Sequence, residues 1–309
     1  MSELILHHYD FSSFSEKIRL ILGAKKLAWR SVIIPPKLPK PLLMPLTGGY
    51  RRTPVLQIGA DIWCDTRLIA RELERRVPEP TLLPDRYRGQ CEATTRWAEE
   101  LLFWPIARYV SGINASTMPA GVQADRAAMR GLPPPSPDRL LSSARRNRGQ
   151  MLLQIGWLEN LLADGRTWLL GSPGATIADL AAYHGLWFLG RLAIDLSGDL
   201  VPFAHCRSWM RRIAALGHGS PSDMSAEQAL EIAAATTPAV CPASHPGEDD
   251  PRPGMQVSVR PEEAFGRDPV VGELAFIDED ELALRRHDPQ VGEILVHFPR
   301  LKYVVKALS

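Results

Sequence analysis

Short apolar runs and amphipathic runs alternate over the first 77 residues. Residues 4–9 are mostly apolar and give way at once to a polar loop, the pattern of a buried strand. Over 15–25, Ile18, Ile21 and Leu22 fall on one helical face, and Ser15 is placed to cap it. Residues 29–34 are a second β-branched run, stopped by Pro35-Pro36. Residues 37–45, rich in Pro and Lys, predict irregular chain with at most one short helix. Residues 54–58 and 61–64 flank Gly59-Ala60 as a hairpin. From 66 to 77, Ile69, Leu73 and Val77 line one helical face.

Pro78-Glu79-Pro80 and Leu83-Pro84-Asp85 predict a linker, and the pattern beyond it is helical. Helices are expected over 86–110, 139–163, 180–189, 204–216 and 226–235, with four prolines between Gly131 and Pro137 separating the first two. Thr176-Ile177-Ala178-Asp179 is a Thr-x-x-Asp box suited to opening a helix. After a turn-rich connector at 242–253, short β-like runs such as Gln256-Val257-Ser258-Val259 and Ile294-Leu295-Val296-His297-Phe298 return. They predict a small meander or open barrel of about 55 residues, an ordered unit that packs on the helical domain or a partner subunit or recruits another molecule. Three units follow: residues 1–84 α/β, 85–241 all-helical, and 242–309 linker plus β-rich appendage.

Charge and cysteine content narrow the functional classes. A formal net charge of +1, from 36 basic and 35 acidic residues, argues against a nucleic-acid partner. Arg outnumbers Lys 29 to 7, which reads as genome composition. Cys64, Cys91, Cys206 and Cys241 show no metal-ligand or CxxC spacing, so reduced core residues and no metal cofactor are expected. No secretory signal is visible at the start, and no apolar stretch approaches ~18 residues. A cytoplasmic protein without membrane contact is the expectation.

Three polar clusters carry the candidate chemistry. The first, Phe11-Ser12-Ser13-Phe14-Ser15-Glu16-Lys17-Ile18-Arg19, lies at the first strand-to-helix turn; the second is Arg51-Arg52-Thr53-Pro54, and the third is Asp65-Thr66. Read from the residues alone, Ser12 or Ser15 caps a helix, Arg51 and Arg52 occupy a solvated turn, and Asp65 or Thr66 is an ordinary N-cap. In their order the clusters resemble the glutathione-binding domain of the soluble glutathione transferases of the serine type, a resemblance covering about residues 1–235. It implies a thioredoxin-like N-terminal domain with serines where redox relatives keep CxxC, followed by an all-helical domain.

The resemblance also implies roles. Aligning Lys17-x-Arg19 with the family's basic pair puts Ser12 at the thiol-activating position, with Ser13, where relatives commonly have Pro, and Tyr9 as alternatives. A thiol of pKa ~8.5 is only ~3% ionised at neutral pH, so a hydroxyl donor and a helix N-terminus would both favour the reactive anion. Thr53 and a cis Pro54 would grip the cysteinyl unit of glutathione through main-chain groups, Arg52 the glycyl carboxylate, and Asp65 with Thr66 the γ-glutamyl end. Thr176 and Asp179 match a structural motif of the family. Trp97, Trp104, Tyr109 and Trp187 are candidates for an acceptor pocket, although aromatics at helical spacing are more often core, and His184 reads as a core histidine. The implied activity is conjugation of glutathione to an electrophilic small molecule, as in detoxification, by a homodimer. A non-catalytic ligand or protein binder, and a glutathione-dependent isomerase, dehalogenase or peroxidase, are the alternatives.

Overall fold

The computed structural model describes residues 3–263, 265–266 and 268–308. Strand β1 (Ile5–His8), helix α1 (Ser13–Ala24) and strand β2 (Ala28–Ile33) come first, then the single-turn α2 (Met44–Thr47). The hairpin β3 (Val55–Ile58) and β4 (Asp61–Cys64) leads into α3 (Thr66–Arg76). β1 lies parallel to β2 and antiparallel to β3, which pairs antiparallel with β4. This is a thioredoxin-like sheet in the order β4-β3-β1-β2. Ser12, not Ser15, is the N-cap of α1, its Oγ accepting from the Ser15 N–H at 3.2 Å. His7 and His8 lie within β1. Burial holds both rings neutral, the first down to about 4 and the second to about 3, while Gln57 and Ser31 give them hydrogen-bond partners.

The helical layer comprises α4 (Arg88–Trp97), a π-turn (Ala98–Leu102), α5 (Phe103–Ile113), α6 (Val122–Ala128), α7 (Pro137–Leu162), α8 (Ile177–Trp187) and α9 (Ala204–Ala214). At the α5–α7 crossing, a Cβ on Gly112 would stand 2.6 Å from the Leu140 carbonyl oxygen, so only glycine lets the two backbones approach this closely. Asp179, fully buried, accepts from Thr176 N and Oγ1, Leu169 N and Trp209 Nε1 at 2.8–2.9 Å. That network ties α8 to α9 and gives the Thr-x-x-Asp box its structural role. No helix among the described residues is long and apolar enough to cross a membrane.

Two further segments extend the sheet at its edges. β5 (Ser220–Asp223), which no sequence pattern announced, pairs parallel to β2. Helix α10 (Ala226–Ala234) then packs its Ala229, Leu230 and Ala233 on the sheet rather than within the helical layer. At the other edge, β6 (Gln256–Pro261), β7 (Val270–Ile277), β8 (Glu281–Asp288), β9 (Gly292–Pro299) and β10 (Tyr303–Ala307) form an antiparallel array. Its last hairpin strand, β9, adds parallel to β4 with Ile62 opposite Val296, giving one ten-stranded sheet. Tyr303 at the start of β10 returns to within 3.1 Å of Asp65, so the array curls into a partly open barrel.

The appendage therefore shares its core with the N-terminal domain, a face the sequence did not point to, while Phe265, Gly266 and Lys302 reach the helical layer at Trp104, Met129 and Glu100. The reason is the period-2 alternation of the strands. Leu6, Leu56 and Trp63 point into the core shared with the helical layer, whereas Ile5, Val55, Ile62 and Cys64 point the other way. This second set shares a core with Val257, Leu274, Leu284, Val296 and Phe298. A unit of about 55 residues has little core of its own, and fusing it with the neighbouring face enlarges it.

His297 sits at the seam. Its ring stacks on Trp63 at 4.6 Å, Nε2 is 3.1 Å from Asp61 Oδ1, and Nδ1 is 3.5 Å from Glu281 Oε1. Burial alone would lower its pKa, but the hydrogen bonds and charges of Asp61 and Glu281 hold it above the ordinary value. A raised folded-state pKa gives stability that is complete below the unfolded value of ~6.5 and is lost as pH rises through the folded one. In urea melts, the stability gap between wild type and His297→Gln is expected to be widest near pH 6 and to narrow toward pH 9. A gap independent of pH would contradict a charged imidazole at the seam.

Candidate functional site

Ser12, Ser13, Arg52, Thr53, Pro54, Asp65 and Thr66 all line one cavity of about 590 Å³. Three chain turns meet there because β1 and β4 end, and the antiparallel β3 begins, on the same side, where α1 and α3 start. Ser12 Oγ accepts from Ser15 N, which leaves its own proton free to donate. The N–H groups of Ser13 and Phe14, in the first turn of α1, have no intrahelical acceptor. A thiolate placed there would meet a hydroxyl donor and the positive end of a 12-residue helix together.

The Thr53-Pro54 peptide is cis. Among the described residues no hydrogen bond engages the Thr53 main-chain N–H or C=O, so both remain available to an extended peptide. Asp65, at φ 77°, caps α3 by accepting from Arg67 N at 2.9 Å. Thr66 Oγ1 lies 3.4 Å from Lys17 Nζ.

The basic pair is divided. Lys17 is fully buried and reaches Glu99 at 2.5 Å, tying α1 to the π-turn and α3. Arg19 turns to the opposite side, where it binds Glu16, His8 Nδ1 and the Asp10 carbonyl. Neither lines the cavity. Of the four aromatic candidates for an acceptor pocket only Trp104 lines it; Phe14, Phe103, Phe188 and Phe265 supply the other apolar walls. His184 is buried against Phe14 and Phe103, and burial keeps its ring neutral.

Several groups carried no sequence signal. Lys40 donates to the Arg51 carbonyl at 3.0 Å and to Thr53 Oγ1 at 2.9 Å. Burial, helped by the neighbouring Arg51 charge, brings its ammonium down to about 8. Arg51 pairs with Asp125 of α6. The appendage forms a roof: the Phe265 carbonyl accepts from Arg52 at 3.1 Å, Tyr303 donates to Asp65 Oδ2 at 3.1 Å, and Lys302 binds Glu100 and Glu263. Phe265, Leu301, Lys302 and Tyr303 all line the cavity. The roof's bonds to Arg52 and Asp65 join residues more than 200 positions apart, beyond the reach of any local pattern.

A thioredoxin-like sheet and a helical layer thus meet around a cavity at the start of α1. Residues 6–81 match the family model described as glutathione S-transferase, N-terminal domain. A solved GST-like protein from Pseudomonas syringae is 37% identical over 100% of both chains, with a TM-score of 0.81. The chain belongs to the glutathione transferase family. It is also similar to FtsZ-localized protein A of Caulobacter vibrioides, 28% identical over 224 residues, 68% of this chain and 86% of that one. A glutathione S-transferase from Rhodospirillum rubrum shares the fold at 19% identity and a TM-score of 0.52, over 69% of this chain and 88% of that one.

Proposed function

We propose that the protein binds glutathione and joins it through its sulfur to an electrophilic small molecule, Ser12 stabilising the thiolate. The observation that carries this reading is the convergence of the three polar clusters on one cavity at the start of α1. In it, Thr53 pairs with the cysteinyl unit through its free main-chain groups, with Pro54 setting their direction. Asp65 takes the γ-glutamyl ammonium and Thr66 its carboxylate. Arg52 and Lys40 provide positive charge for the glycyl carboxylate, Lys40 through its place beside Thr53 Oγ1. Catalysis then consists of thiolate formation and positioning beside the electrophile.

A non-catalytic binding role is the second reading. Two observations favour it: Arg52 and Asp65 are already engaged by Phe265 and Tyr303, and one relative is named for its localisation with FtsZ. Calorimetry with S-methylglutathione, whose sulfur cannot ionise, separates the two. The transferase reading expects binding with a Kd below about 1 mM, weakened roughly tenfold or more in Asp65→Ala through loss of a charged hydrogen bond. Lys40 is charged below about 8, so affinity is expected to fall between pH 7 and 9. That part of the fall is expected to vanish in Lys40→Met. No heat up to about 1 mM ligand would remove the glutathione site and leave the binder.

A further inference from the structure

The charges of the cavity are unevenly matched. Every carboxylate lining it has a partner: Asp65 with Arg67 N and Tyr303, Glu99 with Lys17, Glu100 with Arg96 and Lys302, Asp125 with Arg51, and Glu263 with Arg52 and Lys302. At the end formed by α5 and α6, Arg108, Arg126 and Arg130 line the same cavity without a carboxylate partner among the described residues. Arg126 donates to Ser111 Oγ at 3.2 Å, and Arg130 donates to the Arg126 carbonyl at 3.1 Å. The Arg130 guanidinium is held 5.4 Å from the Trp104 ring centre and 5.0 Å from that of Phe265. Burial first, and then the charges of Arg126 and Arg108, push the Arg130 pKa below its ordinary value.

From this arrangement we infer that the second substrate is a planar, apolar molecule carrying an anionic group, bound by Arg108, Arg126 and Arg130 with its body against Trp104 and Phe265. Three guanidiniums from two helices and the chain after α6 line this end of the cavity, and an anion placed among them would meet their charge without displacing a carboxylate. Guanidinium is also the side chain best shaped to bind carboxylate, sulfonate or phosphate oxygens in pairs. Trp104 and Phe265 flank Arg130 with ring faces, which suits a flat apolar partner. Arg richness across the chain accounts for the residue type but not for the missing carboxylates. Because Phe265 comes from the appendage, that unit helps set which electrophile enters.

The inference rests on the transferase reading for its chemistry but not for its binding test. With 4-chloro-3,5-dinitrobenzoate, the glutathione sulfur would attack the ring carbon bearing chlorine. A C–S bond forms, the C–Cl bond breaks, chloride leaves with the electron pair, and the thiol proton passes to solvent.

Calorimetry on the full chain would compare unreactive 3,5-dinitrobenzoate with neutral 1,3-dinitrobenzene. The anion is expected to bind at least tenfold tighter, and the preference is expected to collapse in Arg126→Gln/Arg130→Gln and to shrink in Arg108→Gln. Circular dichroism melts check that each variant is folded. Equal affinities, no binding of either compound, or a preference unchanged in the folded variants would each overturn the inference. Turnover of 4-chloro-3,5-dinitrobenzoate against 1-chloro-2,4-dinitrobenzene, each normalised to its uncatalysed rate with glutathione, reads the transferase separately. Anion-selective binding without turnover of either compound would sink the transferase reading and leave the anion site standing.

Discussion

Val296→Asp is expected to cost more than about 4 kcal/mol and to leave little folded protein at room temperature. Val296 is fully buried opposite Ile62 at the junction of β9 and β4, in the apolar cluster that also holds Ile294, Phe298 and Ile62. A carboxylate there must either stay charged in an apolar core or take up a proton; both are costly. Truncation after Cys241 is expected to do more. It removes all five appendage strands, bares Leu46, Val55 and Ile62 at about 1.5–3 kcal/mol each, and opens the β4 edge. Insoluble expression is the expected outcome. Any soluble fraction would also lack Tyr303 on Asp65 and Phe265 on Arg52, so the glutathione side would change with the stability. A soluble truncated protein with an unchanged urea midpoint would contradict a shared core.

Ser12→Ala is expected to slow glutathione transfer by roughly 10- to 30-fold at pH 7, the loss of thiolate fraction if the hydroxyl accounts for most of a two-unit pKa depression. The deficit is expected to close as pH rises past ~8.5, where the thiol ionises unaided. Binding of S-methylglutathione is expected to change little, since the proposed role sets the hydroxyl against the sulfur and not the rest of the tripeptide. The substitution also removes the α1 cap, at about 1 kcal/mol of stability. Ser13→Ala keeps that cap and is the natural control. A turnover deficit that is the same at pH 7 and pH 9, or a larger one in Ser13→Ala, would remove Ser12 from the thiolate.

What the sequence made legible follows from how local each cause is. The β1-α1-β2 and β3-β4-α3 order was readable because each element carries its own period and its own stop, as Pro35-Pro36 does after β2. The Thr176–Asp179 box was readable because both partners lie within one helical turn. The start of α1 was misread by two residues, since Ser12, Ser13 and Ser15 offer equivalent caps and only the tertiary position of the turn selects Ser12. β5 was invisible because Ser220-Pro221-Ser222-Asp223 has no apolar face. It is held by main-chain pairing to β2 and by bonds such as Trp29 Nε1 to the His218 carbonyl at 2.7 Å. The roof of the cavity was beyond reach for a different reason: Phe265 and Tyr303 meet Arg52 and Asp65 from the far end of the chain, Arg130 likewise meets Phe265, and no spacing rule spans such distances.

The β4–β9 pairing also sets a timetable for synthesis. His297 meets Asp61 across 236 residues, so the edge of β4 leaves the ribosome long before the strand that covers it exists. At 5–20 residues per second the interval is roughly 10 to 50 s. Throughout it the nascent N-terminal domain presents an unpaired strand beside a bare apolar face, the combination most prone to joining a neighbouring chain. Biogenesis of this protein is thus a race in which the last strands made protect the first, and chaperone supply or translation speed should govern its yield more than its final stability does.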